Sequence, residues 1–412
     1  MAAPSPPLPR DAPSRLTRRQ EFLLAAAGAV IVANAYYIHP IIAEVARGFG
    51  VGEARIGLVP ALNQLALALG VLVLLPLGDR ISNRRLLIAS AVMQTAAMLV
   101  MALADGFWLF TAGSTLLGFF TIGPYLLPAY ASKRVSADRL GQVTATLTVG
   151  TIVGILVARI AAGVIARYLE WEHVYWLGAG LMVAVTLALP LVMEGRRTGS
   201  GDAPRQSYGA LVYSTLPLLL RHRQVALSGL IQALNFGIFL SVWLGLGFHL
   251  TSGAMGYGTD VVGYLAGLAI VSMFVTPKLG KYADRIGAER ARLHTSAIQF
   301  AGVALLYPLG FDLWLLVIPI IVLNAVGPAI DVSGRMTSLA LAPEIRTRLM
   351  TGYIVLMFAG AGLASWGGTA AYGAAGWAGV TALAAVMSAA VVALSWLATR
   401  IDWDKNGAPD RI

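Results

Sequence analysis

The feature that most constrains this chain is a succession of apolar segments, each about 20 residues long and almost free of charge. Apolar residues occupy 58% of its 412 positions, whereas roughly 45–50% is typical of a soluble domain. A helix of this length spans the hydrocarbon core of a bilayer, and the alternating segments typical of a transmembrane β-barrel are missing from the sequence. The composition therefore predicts an all-α membrane protein.

Twelve of these segments are expected to cross the bilayer as transmembrane helices. Their approximate ranges are 22–43, 57–78, 86–104, 107–131, 142–166, 173–193, 224–249, 260–282, 292–310, 313–340, 349–372 and 377–399. A stretch rich in Gly, Ser, Pro and charge separates the sixth segment from the seventh, and this composition is typical of a linker. The pattern therefore predicts two six-helix bundles.

The domain organisation follows from these segments. We expect an N-terminal bundle over 21–194, a cytoplasmic linker over 195–222 and a C-terminal bundle over 223–400. Residues 1–20, rich in Pro and Arg, are predicted to be a disordered cytoplasmic tail, and 401–412 a second tail. We expect no cleaved signal peptide, because the first apolar segment is too long for one.

The positions of the basic residues predict the orientation of the chain. Of the 30 Lys and Arg residues, 25 lie in tails and loops on the side of the N-terminus. Three (Arg47, Arg55 and Arg167) lie on the other side, and two (Arg159 and Arg335) lie within segments. The positive-inside rule therefore places both termini of this multi-pass membrane protein in the cytoplasm. The same asymmetry accounts for the net charge of +10, so no nucleic-acid partner is expected.

The two halves of the chain repeat each other. Residues 79–81 and 284–286 both read Asp-Arg-Ile, 205 residues apart, and each follows the second helix of its half. A Gly-Pro pair at 123–124 in the fourth segment recurs at 327–328 in the tenth. Tandem halves with matching loops indicate duplication into parallel repeats. Transporters built from such repeats bind their substrate between the halves.

The second copy of the loop carries a family resemblance. Gly280, Asp284, Arg285, Gly287 and Arg290 follow the loop signature of the major facilitator superfamily, which the chain resembles over nearly all of residues 20–400. Three further stretches resemble a bacterial efflux branch that exports nucleosides, sugars and drugs: NAYYIHP (34–40), GTIVGILVARIAAG (150–163) and PEIRTRLMTGY (343–353). The resemblance implies the major facilitator fold and a proton-driven exporter of the bacterial inner (plasma) membrane.

The charged cytoplasmic loops are the predicted gate. An aspartate at a helix end can accept hydrogen bonds from the N-terminus of a neighbouring helix, and the arginines can pair with carboxylates of the partner half. Such contacts would hold the halves together on the inside while the outside is open. The alternative is that the arginines only set the topology. The predicted gating residues are Asp79, Arg80, Arg84, Arg85, Asp284, Arg285, Arg290 and Glu344.

Ionisable residues within the segments are candidates for proton coupling, because they are costly in a bilayer. His39 and Arg159 are expected at similar depth in the outer half of the membrane, and Glu44 just beyond His39 could pair with Arg159. Arg159 could instead extend outward to the interface. Asp331 has Arg335 one turn away, so we expect the two to form an intrahelical ion pair. The alternatives are that Asp331 carries a proton or contacts a cationic substrate.

Uncharged polar residues near the middle of the segments are candidates for the substrate site. A buried amide needs a hydrogen-bond partner, so either substrate binding or bridging between helices accounts for them. Single aromatic residues such as Trp243 are read as packing or interface anchors. The predicted substrate-binding residues are Asn34, Tyr37, Asn63, Gln64, Tyr125, Gln232, Asn235, Asn324 and Tyr353.

Small residues give the fifth segment a face that permits close helix contact. Gly150, Gly154, Ala158, Ala162 and Gly163 share this face, and we expect it to pack against the eighth segment.

These patterns predict a secondary transporter rather than an enzyme. The sequence has no rhomboid-type serine motif, no zinc-binding spacing and no P-loop. We expect export of a small organic compound (a drug, nucleoside or sugar-like molecule) by proton antiport, with the proton gradient as energy source and no cofactor or metal. The partners are expected to be substrate, protons and the lipid bilayer, and the protein a monomer. Uptake by proton symport is the alternative, followed by a non-transporting receptor.

Overall fold

The computed structural model describes residues 16–78, 80–132, 134–193, 208–339 and 343–401. All regular secondary structure in these ranges is helical. Ten helical stretches are long and apolar enough to cross a membrane. We number the membrane-crossing helices as spans 1 to 12.

The six spans of the N-terminal half lie within residues 18–192. They are formed by Arg18–Ala33 and Ile38–Gly48 (span 1), Glu53–Ile56 and Leu58–Leu77 (span 2), Asn83–Ala102 (span 3), Phe107–Phe120 and Gly123–Ser132 (span 4), Ala137–Tyr168 (span 5) and Glu172–Val192 (span 6). A capping box at Thr17 and Gln20 starts span 1. The first helix therefore includes the end of the predicted tail, and residues 1–15 lie outside the described part.

The C-terminal half is preceded by a helix over Tyr208–Arg221, which we call the linker helix. The first part of the predicted linker and the tail beyond 401 lie outside the described residues. Spans 7 to 12 are formed by Arg223–Leu250 (span 7), Thr259–Gly267 and Val271–Ile286 (span 8), Ala288–Leu309 (span 9), Leu313–Leu339 (span 10) and Pro343–Ala398 (spans 11 and 12).

The last two spans are two helices within Pro343–Ala398, joined directly at a sharp bend. Gly376 has φ +58°, in the left-handed region that glycine adopts without strain, and Ala375 beside it is also non-helical. The helix direction changes at this pair, so the stretch crosses the bilayer twice. Because this stretch is one of the ten apolar stretches and contains two spans, those ten account for eleven spans. Ala288–Leu309, whose first turns are charged, is the twelfth. The predicted all-α fold with twelve spans is confirmed.

Span 1 is interrupted where proline removes a helical hydrogen bond. Pro40 has no N–H to donate to the carbonyl of Tyr36, and its ring would clash with that carbonyl in a regular helix. The chain instead makes tighter bonds three residues apart, including the His39 N–H to the Tyr36 oxygen at 3.3 Å. This break changes which side chains of span 1 face the centre of the molecule.

The small-residue face of span 5 contacts two different helices. A Cβ placed on Gly150 would lie 2.7 Å from the carbonyl oxygen of Ala25 in span 1, so this end of the face packs on span 1. A Cβ on Gly163 would lie 3.2 Å from the Cα of Gly263 in span 8. The expected contact with the eighth segment therefore exists only at the far end of the face.

The two halves meet at the ends of the helices that are predicted to be extracellular. The Thr259 hydroxyl donates to the carbonyl of Gly163 at 2.7 Å, and Arg167 lies 3.8 Å from Asp260. Span 7 approaches span 1 closely, because a Cβ on Gly247 would lie 2.8 Å from the His39 carbonyl oxygen. We call these contacts the outer seal: Gly163 with Thr259, Arg167 with Asp260, and His39 with Gly247.

Candidate functional site

A central cavity of about 600 Å³ lies between the two halves. Its lining comes from spans 1, 2, 4 and 5 of the first half and from spans 7, 9, 10 and 11 of the second. This volume suits a small organic molecule. Five of the predicted substrate-binding residues line it: Gln64, Tyr125, Gln232, Asn235 and Asn324.

The amides on the C-terminal side of the cavity form a connected network. The Gln299 amide donates to the Asn235 oxygen at 2.6 Å, and the Asn235 amide donates to Gln232 at 2.9 Å and to the carbonyl of Gly327 at 3.1 Å. The side-chain oxygens of Gln299 and Gln64 are buried and accept no hydrogen bond from the described part of the chain. Both can therefore accept a hydrogen bond from a substrate.

Three other predicted substrate-binding residues lie inside the N-terminal bundle, away from the cavity lining. Asn34 donates to the Gln94 side chain at 3.4 Å, and Asn63 donates to the carbonyl of Ser114 at 2.7 Å. Tyr37 is buried against span 6 beside Gly178. The two amides bridge helices of one half, which is the alternative that the sequence left open, and the substrate-binding role of all three remains a prediction.

A carboxylate and a guanidinium face the cavity from span 10. Asp331 accepts from the Arg335 Nε at 2.9 and 3.0 Å, so the expected intrahelical ion pair is present. Tyr353, the ninth predicted substrate-binding residue, is buried behind this pair and donates to Asp331 at 2.9 Å. Its hydroxyl positions the carboxylate rather than lining the cavity.

Arg159 lies at the closed end of the cavity and is only 1% exposed. Its Nη2 is 3.0 Å from His39 Nδ1, and its guanidinium carbon lies 4.8 to 5.2 Å from the ring centres of Tyr36, Phe239 and Trp243. The three rings line the cavity and come from both halves. Arg159 thus connects the site to the outer seal.

Two expectations about this arginine are corrected. Glu44 pairs with Arg47 one turn away, not with Arg159, because the two residues lie on the same exposed helix end. Arg159 does not extend outward to the interface, since the rings and His39 enclose it. Trp243, which we expected to serve only as an anchor, forms part of this enclosure.

The predicted gating residues lie apart from one another. Asp284 and Arg285 at the end of span 8 and Arg290 at the start of span 9 are exposed. Between spans 2 and 3, Arg84 donates to the carbonyl of Pro190 in its own half at 3.1 Å. The guanidinium of Arg80 lies 5.6 Å from the ring centre of Tyr208 in the linker helix. Arg85 is exposed, Asp79 lies outside the described residues, and the side chain of Glu344 is not described. A latch between the loops remains a prediction for the opposite conformation.

Sequence reasoning missed several residues of the site. Gln299 and Phe239 occupy positions with no local motif, and Tyr36 was passed over for Tyr37 because a regular helix was assumed. Arg292, which we counted among the loop residues, is buried and donates to Ser228 at 2.8 Å. Pro40 was the one available signal, since it predicts the distortion that turns Tyr36 toward the cavity.

With the fold and the cavity described, the comparison with known proteins decides the family. A sequence profile of the Major Facilitator Superfamily matches residues 24–332. The chain belongs to the major facilitator superfamily. Members of this family are transporters, so the protein is a multi-pass membrane transporter and not an enzyme.

Relatives of this transporter include an uncharacterised transporter and two proteins named for drug resistance. It is 27% identical over 350 residues to the uncharacterised transporter YgaY of Escherichia coli, covering 83% of this chain and 86% of that protein. A bicyclomycin resistance protein homologue of Haemophilus influenzae is 24% identical over 315 residues, covering 74% and 77%. The multidrug resistance protein MdtG of Serratia proteamaculans is 25% identical over 253 residues, covering 57% and 56%.

Solved structures show the same fold at low sequence identity. A single-residue variant of the nucleoside transporter NupG superposes with a TM-score of 0.75 at 14% identity, covering 92% of this transporter and 99% of that chain. A bacterial homologue of the human lysosomal transporter Spinster, in an inward-facing and unoccupied conformation, gives 0.69 at 14% identity, covering 97% and 100%. These similarities establish the major facilitator fold.

Proposed function

We propose that this transporter exports a small organic compound across the bacterial inner membrane by proton antiport. The observation on which the proposal rests is the central cavity, which both halves line with amides and aromatic rings and which the outer seal closes at one end. Two relatives named for resistance to bicyclomycin and to multiple drugs support the direction. The site residues predicted from the sequence are part of this proposal.

The arrangement suits alternating access, in which the halves rock about the cavity. In the described conformation the contacts of the outer seal are made, while Asp284 and Arg285 are exposed at the other face. When the seal opens, the two cytoplasmic loops approach each other and the arginines can pair across them. The described conformation therefore represents the inward-facing state of the cycle.

The first proton site in this scheme is His39. A neutral imidazole accepts the hydrogen bond from Arg159, whereas a protonated one places a second positive charge beside the guanidinium. Two unit charges about 4 Å apart repel by about 4 kcal/mol at an effective dielectric constant of about 20, which corresponds to a population shift of roughly a thousandfold. The one charged group facing His39 among the described residues is Arg159 from span 5, and the titratable phenol of Tyr36 lies on its own span. Span 7 presents the backbone of Gly247.

Protonation of His39 therefore loosens the outer seal, and deprotonation restores it. Protons entering from outside would drive the transporter to its outward-facing state and be exchanged for substrate. Asp331 is the second candidate proton site, because it faces the cavity beside Arg335. Glu44 pairs with Arg47 at the surface and is a weaker candidate.

Inverted membrane vesicles test the proposal. A proton gradient imposed across vesicles containing the protein should drive accumulation of a substrate from a panel of organic compounds, and dissipating the gradient should stop it. His39→Gln should retain binding and lose the dependence on the gradient. Gradient-driven loss of a preloaded compound instead would indicate symport, and failure to move any compound of the panel would overturn the proposal.

A further inference from the structure

The charges around the central cavity are unbalanced. Among the described residues, the ionisable side chains that line it are Asp331, Arg335 and two phenols, and the carboxylate is already paired with the guanidinium. Behind the aromatic wall lies Arg159, which forms no salt bridge in the described part of the chain. The surroundings of the cavity therefore hold an excess of positive charge.

Arg335 has N–H groups that are not hydrogen-bonded to any described residue. Only its Nε is bonded to Asp331, and no hydrogen bond to the protein occupies either terminal nitrogen within the described residues. A guanidinium carries five N–H donors, and the two terminal nitrogens form the fork that binds a carboxylate or phosphate through parallel hydrogen bonds. Because Arg335 lines the cavity and its side chain is 30% exposed, this fork is accessible to a bound molecule.

Arg159 adds a positive field at the closed end. Among the described residues its Nε is buried without a hydrogen-bond acceptor, and His39 is the one side chain that is hydrogen-bonded to its guanidinium. A cation without a counter-ion in a low-dielectric interior attracts negative charge over a longer range than in water. The field of Arg159 therefore acts in the same direction as the free fork of Arg335.

The other residues that line the cavity indicate which kind of molecular body the ligand has. Tyr36, Phe236, Phe239, Trp243 and Phe358 present aromatic surface, and the amides supply neutral hydrogen bonds. Asn235 and Trp243 are eight residues apart on span 7, so the aromatic and amide wall extends about 12 Å at 1.5 Å per helical residue. A wall of this kind fits a molecule with an aromatic or alicyclic body.

From these observations we infer that the substrate is an organic anion: an aromatic or alicyclic body bearing a carboxylate, phosphate or similar acidic group. The inference rests on the proposed function for the site and specifies its substrate class. The acidic group binds the fork of Arg335, and the body lies along the rings. A cationic compound would meet two guanidinium groups and no unpaired carboxylate among the described residues, so cationic drugs are poor ligands.

Binding to the purified full-length protein tests this inference without any proton gradient. Indole-3-acetate, indole-3-acetamide and tryptamine share one ring system and differ in charge. Because a ligand that binds the folded state raises the unfolding temperature, thermal shift measured against concentration gives the apparent affinity of each. We expect the carboxylate to bind at least tenfold more tightly than the amide, and the amine to bind more weakly than both. Equal or tighter binding of the amine would overturn the inference.

Two variants of one ion pair separate binding from structural damage. Arg335→Gln should weaken binding of indole-3-acetate by about tenfold or more, the loss typical of a hydrogen bond to a charged group, and leave the acetamide unchanged. Asp331→Asn should strengthen binding of the acetate, because the neighbouring negative charge is removed. A structural role for the pair predicts changes in the same direction for both variants, so that outcome would contradict the inference.

A third variant serves as the matched control. Arg400 stacks on Trp396 at the end of span 12, remote from the cavity, and Arg400→Gln removes the same charge. Its affinity for all three probes should equal that of the wild type. If the amine is preferred while vesicles still show proton-dependent export, the anion inference fails and the proposed function stands.

Discussion

At the scale of single residues, the unusual feature is a buried arginine without a carboxylate. Its surroundings compensate for the lost hydration through three rings, each contributing roughly 0.5–2 kcal/mol by cation–π attraction, and through one imidazole. Two of the rings, Phe239 and Trp243, belong to the opposite half of the molecule. Arg159 therefore contributes to the outer seal by a contact between the halves, which the proposed alternating access would have to break.

Removing one ring should open the seal more often. The chain contains no cysteine, so a single thiol introduced by Thr259→Cys reports on the seal through its reaction with a membrane-impermeant maleimide added outside. We expect Trp243→Leu to increase the labelling rate about fivefold, since roughly 1 kcal/mol of cation–π attraction is lost. Trp396→Leu, at the other end of the molecule, is the control. Equal rates in both variants would contradict a role for the ring.

The proposed protonation of His39 should make the same contact depend on pH. Lowering the external pH should increase labelling at Thr259→Cys, because protonated His39 would repel Arg159. His39→Gln, which accepts the same hydrogen bond but does not titrate, should label slowly at every external pH at which the protein stays folded. A pH response that survives in this variant would assign the proton to another group.

At the scale of helices, glycines permit close packing at two kinds of interface, one within a half and one between the halves. Gly154 of span 5 faces Ala29 of span 1 within one half, and a Cβ there would lie 2.6 Å from the Ala29 Cα. Gly163 faces span 8 across the outer seal. The first contact lies within one bundle, whereas the second lies between the halves and would open in the proposed cycle.

Valine substitutions should distinguish these two interfaces. Gly154→Val should destabilise the fold by about 1–3 kcal/mol through overpacking, measured as a lower unfolding temperature in detergent. Gly163→Val should change that temperature less and increase labelling at the outer seal. Gly180→Val is the matched control, because a Cβ at Gly180 meets open space. A similar loss of stability in all three would indicate a general effect of valine.

At the scale of the whole molecule, the described conformation has its outer seal closed. At the opposite face Arg84 donates to a carbonyl of its own half, and Arg285 is exposed. The paired charges of the two cytoplasmic loops are therefore expected to meet in the outward-facing state. Each state is then stabilised by its own set of contacts between the halves.

Cross-linking of the cytoplasmic loops should trap the outward-facing state. Thiols at Arg85→Cys and Arg346→Cys should form a disulfide slowly in the wild-type background and faster with Gly163→Val, because opening the seal brings the loops together. Transport should stop on oxidation and return on reduction, with each single variant as a control. Full transport by the cross-linked protein would contradict the rocking motion.

Proton antiport of an anionic substrate would have an electrical consequence. Exchange of one inward proton for one outward monovalent anion moves two positive charges inward, so a membrane potential negative on the cytoplasmic side should accelerate export. In proteoliposomes, a potassium diffusion potential set with valinomycin tests this, and reversal of its sign should slow export. A rate that does not respond to the potential would contradict the combination of antiport with an anionic substrate.

The sequence by itself determined the class of molecule and its local contacts. The apolar segments, the repeat and the loop signature were sufficient for twelve spans in the major facilitator fold, because segment length and composition depend only on the chain and the bilayer. The Asp331–Arg335 pair was equally predictable, since residues four apart on a helix lie side by side.

Only the tertiary structure decided which residues share the site. Asn34 and Asn63 lie at plausible depth but turn into their own bundle, while Gln299 and Phe239 reach the cavity from positions without a motif. The rotation of each helix is set by its packing and by local breaks such as the one before Pro40. Helix rotation also brings Phe239 and Trp243 of the other half against Arg159. No local pattern in the sequence predicts that contact, because the residues are far apart along the chain.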